Sequence, residues 1–135
     1  MYKIRKCPRG ARVEKDKRKI LIVDDDRDIV SIVTTMLEDR GWDILAAYGG
    51  AEALEIVSTS VPDVILLDIM MPEMNGIEVL KKIRKIDTNA RIIMITAFGD
   101  VESYLDSMEL GAYEYINKPF ETKELLQMIE KVVAA

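Results

Sequence analysis

Short aliphatic runs alternate with helical periods from Lys19 to the end of the chain. Ile20–Val23, Val64–Leu67 and Ile92–Ile95 are unbroken apolar runs, the pattern of strands buried on both faces of a parallel sheet. Asp43–Tyr48 and Tyr113–Ile116 supply two further strands. Between the runs, apolar residues recur at helical spacing. Ile29, Ile32, Val33, Met36 and Leu37 mark the first helix, and Ala53, Leu54 and Val57 the second. Val79, Leu80 and Ile83 mark the third, and Val101, Tyr104, Leu105 and Met108 the fourth. Leu125, Leu126, Ile129, Val132 and Val133 complete the fifth. Each set is read as one buried helix face. Gly41 and Gly111 fall where helix-ending glycines belong, Pro62 stops the second helix, and a Pro72/Gly76 loop leads into the third. Strict alternation with right-handed crossovers predicts an α/β domain, a (βα)5 doubly wound parallel sheet with helices on both faces.

Composition fits that picture. The chain has 135 residues, 49% hydrophobic and 32% charged, a balance that excludes a disordered chain or a disulfide scaffold. No apolar run is long enough to cross a bilayer, and no apolar core follows the basic first residues as a secretion signal requires. The single Cys7 cannot pair within the chain, so the reducing cytoplasm is the expected compartment. With no histidine, imidazole catalysis and His-ligated zinc are excluded. Charge is divided unevenly. Residues 1–19 carry nine Lys/Arg against two acids, a balance of +7, and the remainder carries ten against twenty-two, a balance of -12. Residues 1–18 therefore read as a basic, solvated, disordered tail and residues 19–135 as the folded domain. The acidic body repels a nucleic-acid backbone; only the tail could attract one.

In open α/β sheets ligands bind outside the carboxyl ends of the strands. Strand one ends in Asp24, Asp25 and Asp26, strand three in Asp68, strand four in Thr96, and strand five in Asn117, Lys118 and Pro119. Carboxylates from neighbouring strand ends repel one another unless a cation neutralises them. Mg²⁺ suits such a site, because it takes oxygen ligands and needs only one or two protein carboxylates. An aspartate beside it can attack phosphorus to give an aspartyl phosphate, with the metal, Lys118 and Thr96 meeting the phosphoryl oxygens.

Four ordered motifs carry a family resemblance. Ile-Leu-Ile-Val-Asp-Asp (20–25), Val-Ile-Leu-Leu-Asp-Ile-Met-Met-Pro-Glu-Met-Asn-Gly (64–76), Met-Ile-Thr-Ala-Phe-Gly (94–99) and Gly-Ala-Tyr-Glu-Tyr-Ile-Asn-Lys-Pro-Phe (111–120) resemble the receiver domain of two-component response regulators. The resemblance implies a flavodoxin-like strand order of 2-1-3-4-5. It implies a phosphoacceptor at Asp68 that takes phosphate from a sensor histidine kinase or a phosphotransfer protein. Such a domain catalyses its own phosphorylation and dephosphorylation and is not a classical enzyme. Asp24, Asp25, Asp68 and the Met70 carbonyl then hold Mg²⁺, with Mn²⁺ as an alternative. Thr96 and Lys118 bind the phosphoryl group, the Lys118–Pro119 peptide is cis, and Tyr115 turns inward as Thr96 moves. That motion changes the surface of helix four, strand five and helix five, through which such domains also dimerise when phosphorylated.

Each residue also has a plainer reading. Asp24, Asp25 and Asp26 could be a helix-capping cluster, and Asp26 is best taken as a plain cap. Thr96 and Tyr115 are ordinary strand residues, and Lys118 could be a solvated amine; the coincidence of all of them at one sheet edge favours the site. Val30 lies beside the buried stripe of helix one, and the resemblance implies that this exposed region, with Arg27 and Ser31, docks the kinase and helps to select it. Met70 and Phe98, two residues beyond Asp68 and Thr96, match the two variable positions that flank the site in receiver domains; both are apolar and cannot orient a hydrolytic water, so the resemblance implies a long-lived phosphoryl group. Two other classes fit less well. A flavodoxin-type carrier needs a Ser/Thr/Gly-rich phosphate loop where this chain has three aspartates. An Asp-nucleophile phosphatase needs a second Asp where this chain has Met70, and a nucleotide-binding P-loop is absent. Helix five runs to the last residues, so the expectation is a stand-alone receiver or the N-terminal piece of a larger regulator.

Overall fold

The computed structural model describes residues 18–97 and 100–134. The elements follow in strict alternation: β1 (Lys19–Val23), α1 (Arg27–Glu38), β2 (Asp43–Ala47), α2 (Gly50–Thr59), β3 (Val64–Asp68), α3 (Gly76–Ile86), β4 (Ile92–Thr96), α4 (Val101–Glu109), β5 (Glu114–Asn117) and α5 (Thr122–Ala134). The sheet is wholly parallel in the order β2-β1-β3-β4-β5, the flavodoxin-like arrangement expected. The expectations for residues 1–17 and for Phe98 fall outside the described residues. No described helix is long and apolar enough to cross a membrane.

Side chains alternate across each strand, and this divides the core in two. Leu21, Val23, Ile65, Leu67, Ile92 and Met94 pack with Ala53 and Val57 of α2 and Val79, Leu80 and Ile83 of α3. Ile20, Ile22, Val64, Leu66, Ile93 and Ile95 pack with Val30, Val33 and Leu37 of α1 and Leu125, Ile129 and Val132 of α5. Burying each such side chain contributes roughly 1.5–3 kcal/mol, which is why the three inner strands need no polar face.

Helix ends are set locally. The Asp26 carboxylate accepts hydrogen bonds from the backbone N–H groups of Asp28 and Ile29 at 3.0 and 3.3 Å, so Asp26 is the cap of α1. Asn75 caps α3 and Asp100 caps α4 in the same way. At the other end of α1, Gly41 has φ +89° while its N–H donates to Glu38 O and that of Trp42 to Leu37 O. This is a Schellman ending, which favours glycine because the left-handed conformation strains other residues.

The structure corrects the reading at three places. Val30 is buried, at 3% exposure, and Ile32 is the exposed residue, at 66%. The apolar residues of α1 span more of its circumference than the sheet can cover, and the covered side centres on Val30, Val33 and Leu37. Val30 is therefore core, not part of an exposed docking region. In α4 the apolar face is only partly covered: Met108 packs on the core, whereas Val101, Tyr104 and Leu105 are exposed and the fully buried residue is Ser107. Periodicity identifies an apolar face without saying whether anything packs on it. Strand five also begins one residue later than expected, because Tyr113 precedes β5 with its ring exposed.

Gly76 is where the chain turns back under the end of β3. A Cβ there would lie 2.7 Å from Ile69 Cα and closer still to the Asp68 carbonyl oxygen, and the Gly76 N–H donates to Ile69 O at 2.9 Å. Only backbone atoms obstruct it, so nothing flexible can give way. Gly76→Ala is expected to destabilise the domain by roughly 2–3 kcal/mol, read as a lower urea midpoint; a midpoint equal to the parent's would mean the loop relaxes freely.

Candidate functional site

The strand order reverses between β1 and β3: α1 carries the chain to β2 on one side, and α2 carries it back past β1 to β3. A crevice at the carboxyl ends is the topological outcome. Asp24 enters it as the residue after β1, Asp68 as the last of β3, Thr96 as the last of β4, and Lys118 as the residue after β5. Asp24, Asp68 and Thr96 are buried, whereas Asp25 is exposed.

One carboxylate oxygen each from Asp24, Asp25 and Asp68 lies within 4.8 Å of the others. Lys118 Nζ donates to Asp24 Oδ2 at 2.8 Å and stands 3.6 Å from Asp68 Oδ2. The second Asp24 oxygen accepts the Asp26 backbone N–H at 2.9 Å. Asp68 Oδ1 is buried with no hydrogen-bond partner among the described residues, a costly condition for an anionic oxygen. Burial, followed by the negative charge of Asp24, pushes the Asp68 carboxyl up from 3.8 to about 7, against the pull of Lys118. Burial also works against the Lys118 ammonium. Its hydrogen bond to Asp24 and the charges of Asp68 and Asp24 outweigh this and hold its pKa above the usual lysine value. An all-oxygen donor set with an orphaned carboxylate oxygen fits a hard divalent cation such as Mg²⁺.

The neighbouring residues are arranged around this cluster. Thr96 O accepts the Lys118 backbone N–H at 2.8 Å, which fixes the chain leading to the lysine, and the Lys118–Pro119 peptide is cis. Tyr115 on β5 meets Tyr104 of α4 edge to face, with centroids 5.3 Å apart. Its hydroxyl is buried without a hydrogen-bond partner among the described residues, and burial raises its pKa. Met70 exposes 55% of its surface while Met71 is buried, so the side chain at the lip of the crevice is apolar. Arg27 stands over the Tyr48 ring at 3.9 Å; Arg27 and Ser31 are both exposed.

Two features were not anticipated from sequence. Lys118 rests on Asp24 more closely than on Asp68. A largely apolar groove of about 440 Å³ is lined by Ile29, Ile32, Val33, Ala97, Pro119 and Phe120 and shares Lys118 with the crevice. The phase of Ile32, furthest from the buried centre of α1, is the signal that could have revealed it.

Fold and site together define a flavodoxin-like α/β domain with an acidic pocket and a lysine at its switch point. The model of the response regulator receiver domain matches residues 20–130, and the chain belongs to that family. It is 45% identical over 117 residues to a probable transcriptional regulator of Guillardia theta, covering 87% of this chain and 46% of that protein. It is 40% identical over 113 residues to sporulation initiation phosphotransferase F of Bacillus subtilis, covering 84% of this chain and 91% of the relative. The chain thus spans about half of the former and nearly all of the latter. Among solved structures, the CheX–CheY–BeF3–Mg²⁺ complex of Borrelia burgdorferi contains a chain that superposes with a TM-score of 0.82 at 36% identity, covering 85% of this chain and 88% of that one.

The raised Asp68 pKa gives a test by pH. In the unfolded chain the group ionises near 3.8, whereas in the fold it ionises near 7. Ionisation therefore costs the folded state stability as pH rises between those values, and the cost is complete above the upper one. In metal-free protein at about pH 8, Asp68→Asn is expected to gain on the order of 2 kcal/mol in urea unfolding. The gain should fade towards about pH 4, and a loss of stability at the higher pH would contradict the assignment of repulsion.

Proposed function

We propose that residues 19–135 form a working phosphoacceptor domain, in which Asp68 receives a phosphoryl group from the phosphohistidine of a sensor kinase or phosphotransfer protein. The observation that carries this reading is the buried Asp68 carboxylate, with one oxygen unpaired, clustered with Asp24 and Asp25 and facing Lys118. The ionised Asp68 oxygen attacks phosphorus in line; the P–O bond forms as the P–N bond of the donor breaks, and the imidazole leaves with the electron pair. Asp24, Asp25, Asp68 and the Met70 carbonyl would hold Mg²⁺, or Mn²⁺ in its place, which when bound would supply charge neutralisation at the phosphoryl oxygens. Lys118 transfers its hydrogen bond from Asp24 to a phosphoryl oxygen, and the Thr96 hydroxyl donates to another. The apolar Met70 offers no group to orient a hydrolytic water, which favours a long-lived phosphoryl group over rapid self-dephosphorylation.

The surroundings support the same reading. The groove of Ile29, Ile32 and Phe120 shares Lys118 with the crevice, where a partner's histidine must arrive, so it is assigned to docking of the phosphodonor. Movement of Thr96 and Tyr115 would alter the face of α4, β5 and α5, which is assigned to output partners, a phosphorylation-dependent second copy included. The Borrelia complex pairs its CheY with BeF3, Mg²⁺ and CheX, and the Bacillus relative is named as a phosphotransferase; both support a phosphorelay role, and a cytoplasmic location is assigned with it.

Intact mass after incubation with acetyl phosphate and Mg²⁺ tests the acceptor. One phosphoryl increment is expected in the parent and none in Asp68→Asn or after chelation; an increment persisting in the variant would move the acceptor elsewhere. Docking is tested separately. Ile32→Glu is expected to slow transfer from a phosphohistidine protein at least about tenfold, a transition-state loss of about 1.4 kcal/mol, while leaving transfer from acetyl phosphate within about twofold. Equal slowing with both donors would show that the substitution disturbs the site itself.

A further inference from the structure

Helix α4 is fastened to the domain unequally at its two ends. Its C-terminal end closes in a Schellman ending: the N–H of Gly111 donates to Met108 O, that of Ala112 to Ser107 O, and Gly111 has φ +90°. Such an ending still leaves the last carbonyls needing donors. Arg84, on the last turn of α3, supplies them. Its Nε donates to Leu110 O at 3.0 Å and its Nη2 to Gly111 O at 2.6 Å, while Nη1 donates to Ala90 O at 2.6 Å in the loop before β4. A planar guanidinium alone among side chains can reach three carbonyls in this way, and it adds a cation where the helix dipole is negative. The fit depends on Gly111, since a Cβ there would stand 3.1 Å from Arg84 Nε. The other end meets β5 through the edge-to-face contact of Tyr104 with Tyr115. It follows Thr96 after a short loop, is capped by its own Asp100, and carries the exposed Val101, Tyr104 and Leu105, whereas the buried Ser107 lies near the Arg84 end.

We propose that Arg84 is the fixed pivot of α4, so that the helix swings or opens from its Thr96 end while its C-terminal end stays in place. A change at Thr96 then reorients the Val101, Tyr104 and Leu105 face, and the strength of the Arg84 clamp sets how far along the helix that change spreads. The trigger rests on the phosphoacceptor reading; the pivot does not.

Amide hydrogen exchange tests both parts. In the unmodified protein, Arg84→Ala should speed exchange across Leu105–Gly111 at least tenfold while leaving β1, β3 and α5 within twofold. Arg84→Lys, which keeps the charge and loses the fork, should fall between, and it serves as the readout where the alanine variant folds poorly. Unchanged exchange in α4, or an equal rise in every element, would reduce Arg84 to a general brace and overturn the pivot. In the parent treated with acetyl phosphate and Mg²⁺, exchange should change at Ser103–Leu105 and not at Met108–Gly111, and in Arg84→Ala it should change at both. A uniform change along the parent helix would also overturn the pivot. Absence of a phosphoryl mass increment would instead count against the acceptor reading, and the unmodified comparison would still decide the pivot.

Discussion

Three carboxylates at one sheet edge cannot all be ionised and left alone, and much of this domain can be understood from how that repulsion is contained. Lys118 is the one cation the described structure brings against the buried pair, and it takes Asp24 as its hydrogen-bond partner. Asp68 is left underserved, its carboxyl pushed up to about 7 by burial and by Asp24. A well-balanced ion pair would be a poor nucleophile and a weak cation site. An imbalanced one keeps a carboxylate oxygen unpaired and a lysine that can change partners at little cost, because both carboxylates lie within its reach.

Such an arrangement holds only if the strand ends stay where they are. The frame is stiff where it carries the acids: β3 is buried along its whole length, Gly76 lets the following loop pass directly under Asp68, and the Thr96 carbonyl fixes the backbone of Lys118. It is less stiff at α4, where Val101 and Leu105 stand exposed and the Arg84 clamp and Met108 hold the C-terminal end. Rigidity near the charges and freedom one element away is the distribution expected when a local electrostatic change is read at a distance.

The sequence made the frame legible because a parallel sheet buried on both faces leaves unbroken aliphatic runs, and the residues after those runs must lie at one edge. Asp24, Asp25, Asp68, Thr96 and Lys118 could therefore be placed together before any coordinate was known. Strand order was not legible from the pattern, since alternation is compatible with several orders, and it entered through the four motifs. The errors share a cause: periodicity reports which face is apolar, not which is covered. In α1 it placed Val30 outside and Ile32 inside, and in α4 it assigned to the core a stripe of which Met108 packs there while Val101, Tyr104 and Leu105 stand exposed. Long-range polar contacts were equally out of reach, for nothing near Arg84 in sequence points to the carbonyls of Leu110 and Gly111.

The period of two along the strands has a spatial consequence. Asp68 continues the row of Val64 and Leu66 on the α1 and α5 side, while Thr96 continues the row of Ile92 and Met94 on the opposite side. The crevice thus straddles the rim of the sheet, with its acids behind one layer of helices and its hydroxyl behind the other. The groove of Ile32 and Phe120 adjoins the first layer, and the bare face of α4 belongs to the second. A body seated in the groove would leave that face uncovered, so occupants of the two surfaces need not exclude each other by bulk, and any competition between them must be transmitted through the rim itself.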